Sequence, residues 1–398
     1  MRAAADIDAF RKRARHWLAD NATLRVAAGP HVDEDVSVYL NVDLQAERSN
    51  VAAAVDWHQR KFSAGFAAID WSVEHGGQGL PSSFAQAFRE EESRFDTPDL
   101  HEAFIVTTGM VAPTLRDFAS KELQERLLLP TLRASTICSQ LLSEPNAGSD
   151  LASLSTRAVR DGDQWVINGQ KVWSSGAQIA EWGFLLARSD PDVPKHRGLS
   201  AFMLPLATPG VEVRPIRQMT GGSSFNEVFL TDVVIPASLR VGAEGEGWRI
   251  IMAMLGYERG GTENWTAGGS YSQLRRLTEQ LGRTGDLAIR QRLAALFTGD
   301  RLIKWNAQRA AALSSGGPPG ADANLGKLLY GLQMDRVTDA VSNVLGVALV
   351  AGADEHFRWS EHVTGTPGYH IAGGTNEIQR NVLAERFLGL PAEPRTGS

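Results

Sequence analysis

Residues 138–182 read CSQLLSEPNAGSDLASLSTRAVRDGDQWVINGQKVWSSGAQIAEW, and the rest of the chain is organised around them. The stretch opens on an apolar run that ends in a polar loop, Ser143-Glu-Pro-Asn-Ala-Gly-Ser-Asp150. Pro145, Asn146 and Gly148 break regular structure there and leave backbone N–H groups free to point at a ligand. Residues 164–172 read as two strands joined at Asn168-Gly169, the strongest short hairpin signal. The second strand delivers an indole and two hydroxyls, Trp173-Ser174-Ser175. A flat aromatic ligand with hydrogen-bonding edges and an anionic arm suits such a place.

On either side of this stretch the pattern is helical. Up to about residue 130, Ile7, Phe10, Ala14, Trp17 and Leu18 fall on one face of a 3.6-period helix. His75-Gly-Gly-Gln-Gly-Leu-Pro81 reads as a loop; its glycines follow no strand, so it is not a dinucleotide fingerprint. A helix through 85–94 follows, then one near 123–128 that Pro130 should end. From about 135 to 240 short apolar runs at 166–167, 172–173, 184–186, 202–204, 211–213 and 228–230 are divided by Gly, Pro, Asp and Ser. They predict a small β-barrel or sandwich of about 100 residues, with an exposed loop at 189–197. Helices return from about 241, notably 247–259, 287–314 and 323–351, the last two split by Gly-Gly-Pro-Pro-Gly at 316–320. Residues 391–398 read as a tail without a core face. The expected partition is 1–130, 131–240 and 241–398, in an α+β chain of helical, β and helical-bundle domains.

Composition excludes several classes. A chain of 398 residues with a net charge of −6 and no basic run gives no reason to expect nucleic acid. The single cysteine, Cys138, rules out an intrachain disulfide and offers no zinc cluster; a small buried apolar role suits it best, and no metal site is expected. The N-terminal residues carry charges throughout and lack an apolar core, and no run approaches the roughly 18 apolar residues of a spanning helix. The expectation is a cytoplasmic protein without a membrane span.

The central stretch resembles the flavin-binding core of the acyl-CoA dehydrogenase family, whose pattern is Thr/Ser-Glu-Pro-x-Ala-Gly-Ser-Asp followed by Gly-x-Lys-x-Trp-x-Thr/Ser. IAGGTNEIQRNVLAERFLGLP at 371–391 resembles that family's last helix. NEVFLTDVVIP at 226–236, and WSVEHGGQGLP at 71–81 followed by Phe88-Arg-Glu-Glu91, resemble its middle and N-terminal segments. The resemblance implies FAD as cofactor, an acyl-CoA substrate, an electron-transfer flavoprotein as acceptor, and a homo- or hetero-tetramer built as a dimer of dimers. It further implies α-proton removal from the thioester by a carboxylate, with the β-hydride passing to flavin N5. Family members carry the base at one of two positions. One corresponds to Gly373, which has no side chain; the other is Glu258.

Periodicity supports Glu258 independently. Trp248, Ile251, Met252 and Leu255 form an apolar stripe, and Glu258 is the next position on it. Burial there would raise its pKa from about 4.3 toward about 6–7, as suits a general base; the plainer reading is a surface carboxylate paired with Arg259. By position in the family's motif, the resemblance implies that Leu142 and Ser143 meet the flavin's pyrimidine edge, Gly148 and Ser149 line the cofactor loop, Trp173 covers one ring face, and Ser175 bonds near N5. Thr375 and Glu377 are cofactor contacts at a helix start, or simply a turn and cap. The resemblance also implies that Ser149, Arg259 and Gly373 face the substrate, Gly373 through its N–H on the thioester oxygen.

Two family features are missing. Residues 277–293, LTEQLGRTGDLAIRQRL, lack Phe-Gly after the arginine, and Asn343-Val-Leu-Gly-Val347 replaces Gln-x-x-Gly-Gly. Such departures resemble actinobacterial members acting on bulky acyl-CoAs such as those of steroids. The competing functions are a flavin monooxygenase or oxidase on the same scaffold, and a partner subunit with a degraded flavin site.

Overall fold

The computed structural model describes residues 2–25, 36, 39, 41–99, 101–260, 269–313, 324–351 and 353–392. They fall into two compact units, one of Met1–Gly29, Asp43–Ile216 and Ser224–Met254, the other of Pro30–Val42, Arg217–Ser223 and Leu255–Ser398.

In the first unit the expected amphipathic N-terminal segment is α1 (Arg2–Asn21), followed by α2 (Leu44–Ser63) and α3 (Ser82–Glu92). Phe10, Ala14 and Leu18 of α1 are buried with Trp57, Phe66 and Phe88, so the stripe read from sequence is the one that packs. A short ribbon pairs β1 (Thr23–Leu24) with β2 (Phe95–Asp96). Next, α4 (Glu102–Ile105), with His101 as its cap, runs through a π-turn at Val106–Val111 into α5 (Ala112–Phe118). Helix α6 (Lys121–Leu132) does not stop at Pro130, contrary to expectation; it continues for two residues beyond it. Pro130 costs one backbone bond, but its own carbonyl accepts from the Ser135 N–H at 2.9 Å, and the Thr131 hydroxyl donates to the Leu127 carbonyl.

The β segment is an eight-stranded sheet of β3 (Cys138–Leu141), β4 (Arg157–Asp161), β5 (Gln164–Lys171), β6 (Trp182–Arg188), β7 (Leu199–Pro205), β8 (Val211–Ile216), β9 (Phe225–Pro236) and β10 (Arg240–Val241). Their order is β10-β7-β6-β4-β5-β9-β8, with β3 pairing parallel to β6. Strands β6 and β7 are dry on both faces, from Phe184 to Ala187 and from Leu199 to Leu204, which is why they read as unbroken apolar runs.

One expectation is overturned here. Asn168-Gly169 is not a hairpin turn. Residues 164–171 form a single strand that pairs with β9 from Gln164↔Pro236 to Lys171↔Val228, with a register shift between Ile167 and Gly169. The hairpin lies earlier, where Asp161 faces Gln164 and Gly162-Asp163 turns the chain with Gly162 at φ 57°. Asn168 instead marks a bulge. Its side-chain amide donates to the Asp232 carboxylate at 3.0 Å, and its amide oxygen accepts from the Asp232 N–H at 2.8 Å. Glycine is needed beside it because a Cβ at 169 would lie 2.3 Å from Thr156 Oγ1 and 2.7 Å from its Cα. Gly169→Ala should therefore destabilise the protein by about 1–3 kcal/mol, read as a lower urea midpoint at unchanged slope.

Helix α7 (Gly247–Gly260) follows the sheet. Its buried face is Ile250, Ile251 and Met254, rather than the predicted Trp248, Ile251, Met252 and Leu255, of which Trp248, Met252 and Leu255 are half-buried. The apolar residues of this helix nearly encircle it, so periodicity alone misplaced the stripe by a fraction of a turn. The side chains of Glu258 and Arg259, in its last turn, lie outside the described residues.

In the second unit, α8 (Tyr271–Gln280), α9 (Leu287–Leu313), α10 (Asn324–Leu345), α11 (Ala348–Ala351) and α12 (Ala353–Ile371) precede α13 (Asn376–Val382). Leu274, Leu277, Leu296, Met334, Val337, Val341 and Trp359 form its core. The Gly-Gly-Pro-Pro-Gly break at 316–320 lies outside the described residues. Among the described residues no helix is long and apolar enough to cross a membrane, and no cluster of side chains is arranged to hold a metal ion.

Candidate active site

The loop after β3 is closed by a tight turn in which Glu144 and Ala147 exchange backbone bonds at 3.0 Å, leaving Pro145 and Asn146 at the tip. Gly148 and Ser149 follow it and are exposed, and a Cβ at Gly148 would touch nothing within 4 Å. This loop is held by a buried ion pair that sequence reasoning passed over. Lys171 Nζ, at the end of β5, donates to Glu144 Oε1 at 2.9 Å and to the Leu142 carbonyl at 3.0 Å. Glu144 also accepts from the Ser155 N–H and hydroxyl, both at 2.7 Å, and from the Thr156 N–H at 2.9 Å. Burial works against its charge, but Lys171 and these donors outweigh burial and hold its pKa at about 2. Both residues belong to the motif, yet nothing in their spacing announces that they meet; only the buried charge identifies them.

This clamp fixes the approach to Trp173. The Ser143 carbonyl accepts from the Val172 N–H at 2.9 Å, so Leu142 and Ser143 have their carbonyls engaged within the protein. Trp173 then leaves the strand with φ 60°, a left-handed conformation that costs a β-forming residue on the order of 1–3 kcal/mol. The result is a tryptophan 60% exposed, its ring set at 87° to that of Phe225 with the centroids 6.0 Å apart. An exposed, strained tryptophan is a feature to be explained rather than a core aromatic.

The next residues are anchored from several sides. Ser174 N–H donates to the Asn226 carbonyl, and Asn226 Nδ2 returns a bond to the Ser174 carbonyl, both at 3.0 Å. Ser139 Oγ donates to the Ser175 carbonyl at 2.8 Å, and Gly176 N–H to the Ser224 carbonyl at 2.8 Å. Ser174 Oγ and Asn226 Oδ1 are buried without a hydrogen-bond partner among the described residues. An exposed indole at a strand end, two residues before a hydroxyl residue whose backbone is anchored, fits an isoalloxazine ring.

The second unit holds the Gly-Gly-Thr turn. Thr375 Oγ1 accepts from the Ile378 N–H at 3.2 Å and caps α13, while Gln379 Nε2 donates to the Gly373 and Gly374 carbonyls at 2.8 and 3.2 Å. The Thr375 hydroxyl is thus engaged as a cap. Glu377 is exposed and pairs with Arg380 at 3.3 Å. Under the turn, the fully buried Lys327 donates to the His370 carbonyl and to Asn376 Oδ1, and Asn376 and Asp335 hold the two His370 ring nitrogens.

The chain belongs to the acyl-CoA dehydrogenase family: residues 32–135, 139–233 and 245–388 match the family's N-terminal, middle and C-terminal domains. It is a family of FAD-dependent oxidoreductases. The chain is 40% identical to acyl-CoA dehydrogenase IpdE1 of Mycobacterium tuberculosis, over 98% of this chain and 99% of that protein. It is 38% identical to the Mycolicibacterium smegmatis protein of the same name, over 98% and 99% of the two chains. Among solved structures, the Tcur3481-Tcur3483 steroid acyl-CoA dehydrogenase matches with a TM-score of 0.75 at 26% identity, covering 98% of each chain. The ChsE4-ChsE5 complex from Mycobacterium tuberculosis matches with a TM-score of 0.69 at 26% identity and the same coverage.

Proposed function

We propose that this chain is an FAD-dependent acyl-CoA dehydrogenase that introduces an α,β double bond into a CoA thioester with a bulky, steroid-like acyl group. The observation that carries the flavin reading is Trp173 itself, held exposed at the end of β5 in a left-handed conformation two residues before the Ser175 hydroxyl. The bulky-substrate reading draws on the likeness to a steroid acyl-CoA dehydrogenase and on the missing Phe-Gly and Gln-x-x-Gly-Gly motifs.

When bound, FAD supplies the acceptor for the substrate's β-hydride. The protein's share is positioning and proton transfer. Trp173 covers one face of the ring, Ser175 meets its N5 edge, and Leu142 and Ser143 border its pyrimidine side. Gly148 and Ser149 keep the loop open toward the pantetheine arm. Glu258, seven residues beyond Ile251, removes the α-proton, and Arg259 lies with it on the substrate side. The Gly373 N–H polarises the thioester oxygen, a role that needs no side chain. Thr375 and Glu377 border the cofactor at the start of α13.

On this reading the domains are 1–130, 131–240 and 241–398, electrons leave to an electron-transfer flavoprotein, and the reaction is cytoplasmic. A homo- or hetero-tetramer is the working assembly, the heteromeric form drawing on the two-protein titles of the similar structures. The test is the cofactor content of the chain purified alone. We expect a yellow protein that releases FAD on denaturation. A colourless chain that acquires flavin only with a coexpressed relative would make it a partner subunit instead.

A further inference from the structure

The Gly-Gly-Thr turn of the second unit is held by a lysine that reaches it from another helix. Lys327, in the first turn of α10, is fully buried. Its Nζ donates to the His370 carbonyl at 3.1 Å and to Asn376 Oδ1 at 3.0 Å. His370 lies in the last turn of α12 and Asn376 opens α13, so one ammonium joins the end of one helix to the start of the next. Gly373 stands three residues from each, at φ 65°. Gln379 Nε2 holds the Gly373 and Gly374 carbonyls, which fixes the peptide planes of the turn.

The polarity of this network follows from its donors. An ammonium only donates, so Asn376 presents Oδ1 to Lys327 and Nδ2 to His370 Nδ1, at 2.6 Å. Nδ1 must then accept, which puts the imidazole proton on Nε2, against the Asp335 carboxylate at 2.8 Å. Every bond from Lys327 through Asn376 and His370 to Asp335 runs in the same direction. Reversing the amide, or moving the ring proton, sets like against like. Gly331, one turn after Lys327 on α10, leaves room for the network: a Cβ there would lie 3.3 Å from Asn376 Oδ1 and 3.5 Å from His370 Nδ1. The ammonium is thereby fixed beneath the turn, on two oxygens that are both neutral.

We propose that Lys327 is a positioning residue of the active site, whose charge, fixed beneath the turn 370–376, strengthens the Gly373 N–H as a donor to the thioester oxygen. The inference rests on the reading of Gly373 as that donor. As the α-proton leaves, negative charge moves onto the thioester oxygen, and the protein must meet it with positive potential already in place. A main-chain N–H offers only a partial charge. A full charge behind the same turn, buried where screening is weak, adds to the field that the N–H presents. Its effect grows with the charge on the oxygen, so it favours the transition state over the bound ground state. A lysine that merely capped α12 would hold the turn equally for every ligand.

The experiment compares the wild type with Lys327→Met, Lys327→Gln and Lys327→Arg as FAD-loaded chains under anaerobic conditions. Two probes are built on the acyl group that the wild type oxidises best. One is its 3-thia-acyl-CoA, with sulfur in place of the β-carbon. It can lose an α-proton but offers no β-hydride, and its ionised form gives a long-wavelength band beside oxidised flavin. The other is the CoA thioether, which lacks the carbonyl oxygen. Lys327→Met and Lys327→Gln should bind FAD and the thioether as the wild type does, yet need about tenfold more 3-thia ligand to reach half the band. Their maximal rate of flavin reduction by substrate should fall about tenfold, with the half-saturating substrate concentration unchanged. Lys327→Arg keeps the charge and should recover most of both losses. A neutral variant that weakens the thioether and the 3-thia ligand equally, or that is reduced at the wild-type rate, overturns the inference. Failure of both neutral variants to retain FAD also overturns it, since Lys327 would then only hold the fold. A wild-type chain that binds FAD but is not reduced by any acyl-CoA overturns the proposed function, and this inference with it.

Discussion

Glu258→Gln should leave FAD bound and slow flavin reduction by acyl-CoA by roughly 10²–10⁴-fold, the range that a positioned general base supplies. Glutamine matches glutamate in shape but cannot take a proton, so binding should survive where chemistry does not. No side chain stands ready to replace it in the family's other base position, which is Gly373 here. Anaerobic stopped-flow reduction of the purified variant measures the effect, with the FAD-to-chain ratio as the control for binding. A Glu258→Gln chain reduced at the wild-type rate would place the base elsewhere.

The second large effect is expected at Lys171, which touches neither the substrate nor the flavin in this account. Lys171 is fully buried and Glu144 nearly so. Burial lowers the Lys171 pKa to about 8 despite the pull of Glu144, so the pair remains charged at neutral pH. Lys171→Met leaves the Glu144 carboxylate buried without a counter-charge, and Glu144→Gln does the same to the ammonium. Each should cost about 3–5 kcal/mol, whereas the double variant should recover part of that loss. Thermal melts of all three give the cycle, and FAD should be lost in both single variants because the loop at 142–149 and the Trp173 strand end come apart together. The pH dependence has a fixed sign. The Glu144 pKa is depressed to about 2 in the folded state from an ordinary 4.5, so its contribution is complete above the unfolded value and is lost as pH falls from 4.5 toward 2. Wild-type melts should drop steeply in that window, and Glu144→Gln should flatten the drop.

How far the sequence carried depended on the range of the interaction. The stripe at Phe10, Ala14 and Leu18 and the apolar runs of β6 and β7 are local patterns, and each packs as its period predicts. The family motif around Ser143–Ser175 placed the flavin candidates on one loop and one strand end. Asn168-Gly169 misled because its turn signal is local, whereas the pairing of the whole of β5 with β9 is not. With β9 available along eight residues, the chain uses the Asn-Gly pair as a bulge, tied to Asp232 sixty-four residues away. Pro130 misled for a similar reason: hydrogen bonds from Thr131 and Ser135 offset what the ring removes. The Glu144–Lys171 clamp, the Ser174–Asn226 exchange and the Glu47–His101–Gln178 chain join segments far apart in sequence and have no periodic signature. They decide how rigidly the candidate site is held, and only the fold reveals them.

The most direct measurement of the central claim is an anaerobic titration of the purified wild-type chain with straight-chain, branched and steroidal acyl-CoAs, following the visible flavin band. The account predicts that a bulky, steroid-like thioester bleaches the band and leaves an α,β-unsaturated product, and that the reduced protein reoxidises slowly in air. A band that no acyl-CoA bleaches would contradict it, and rapid reoxidation by oxygen would assign the chain to oxidase chemistry instead.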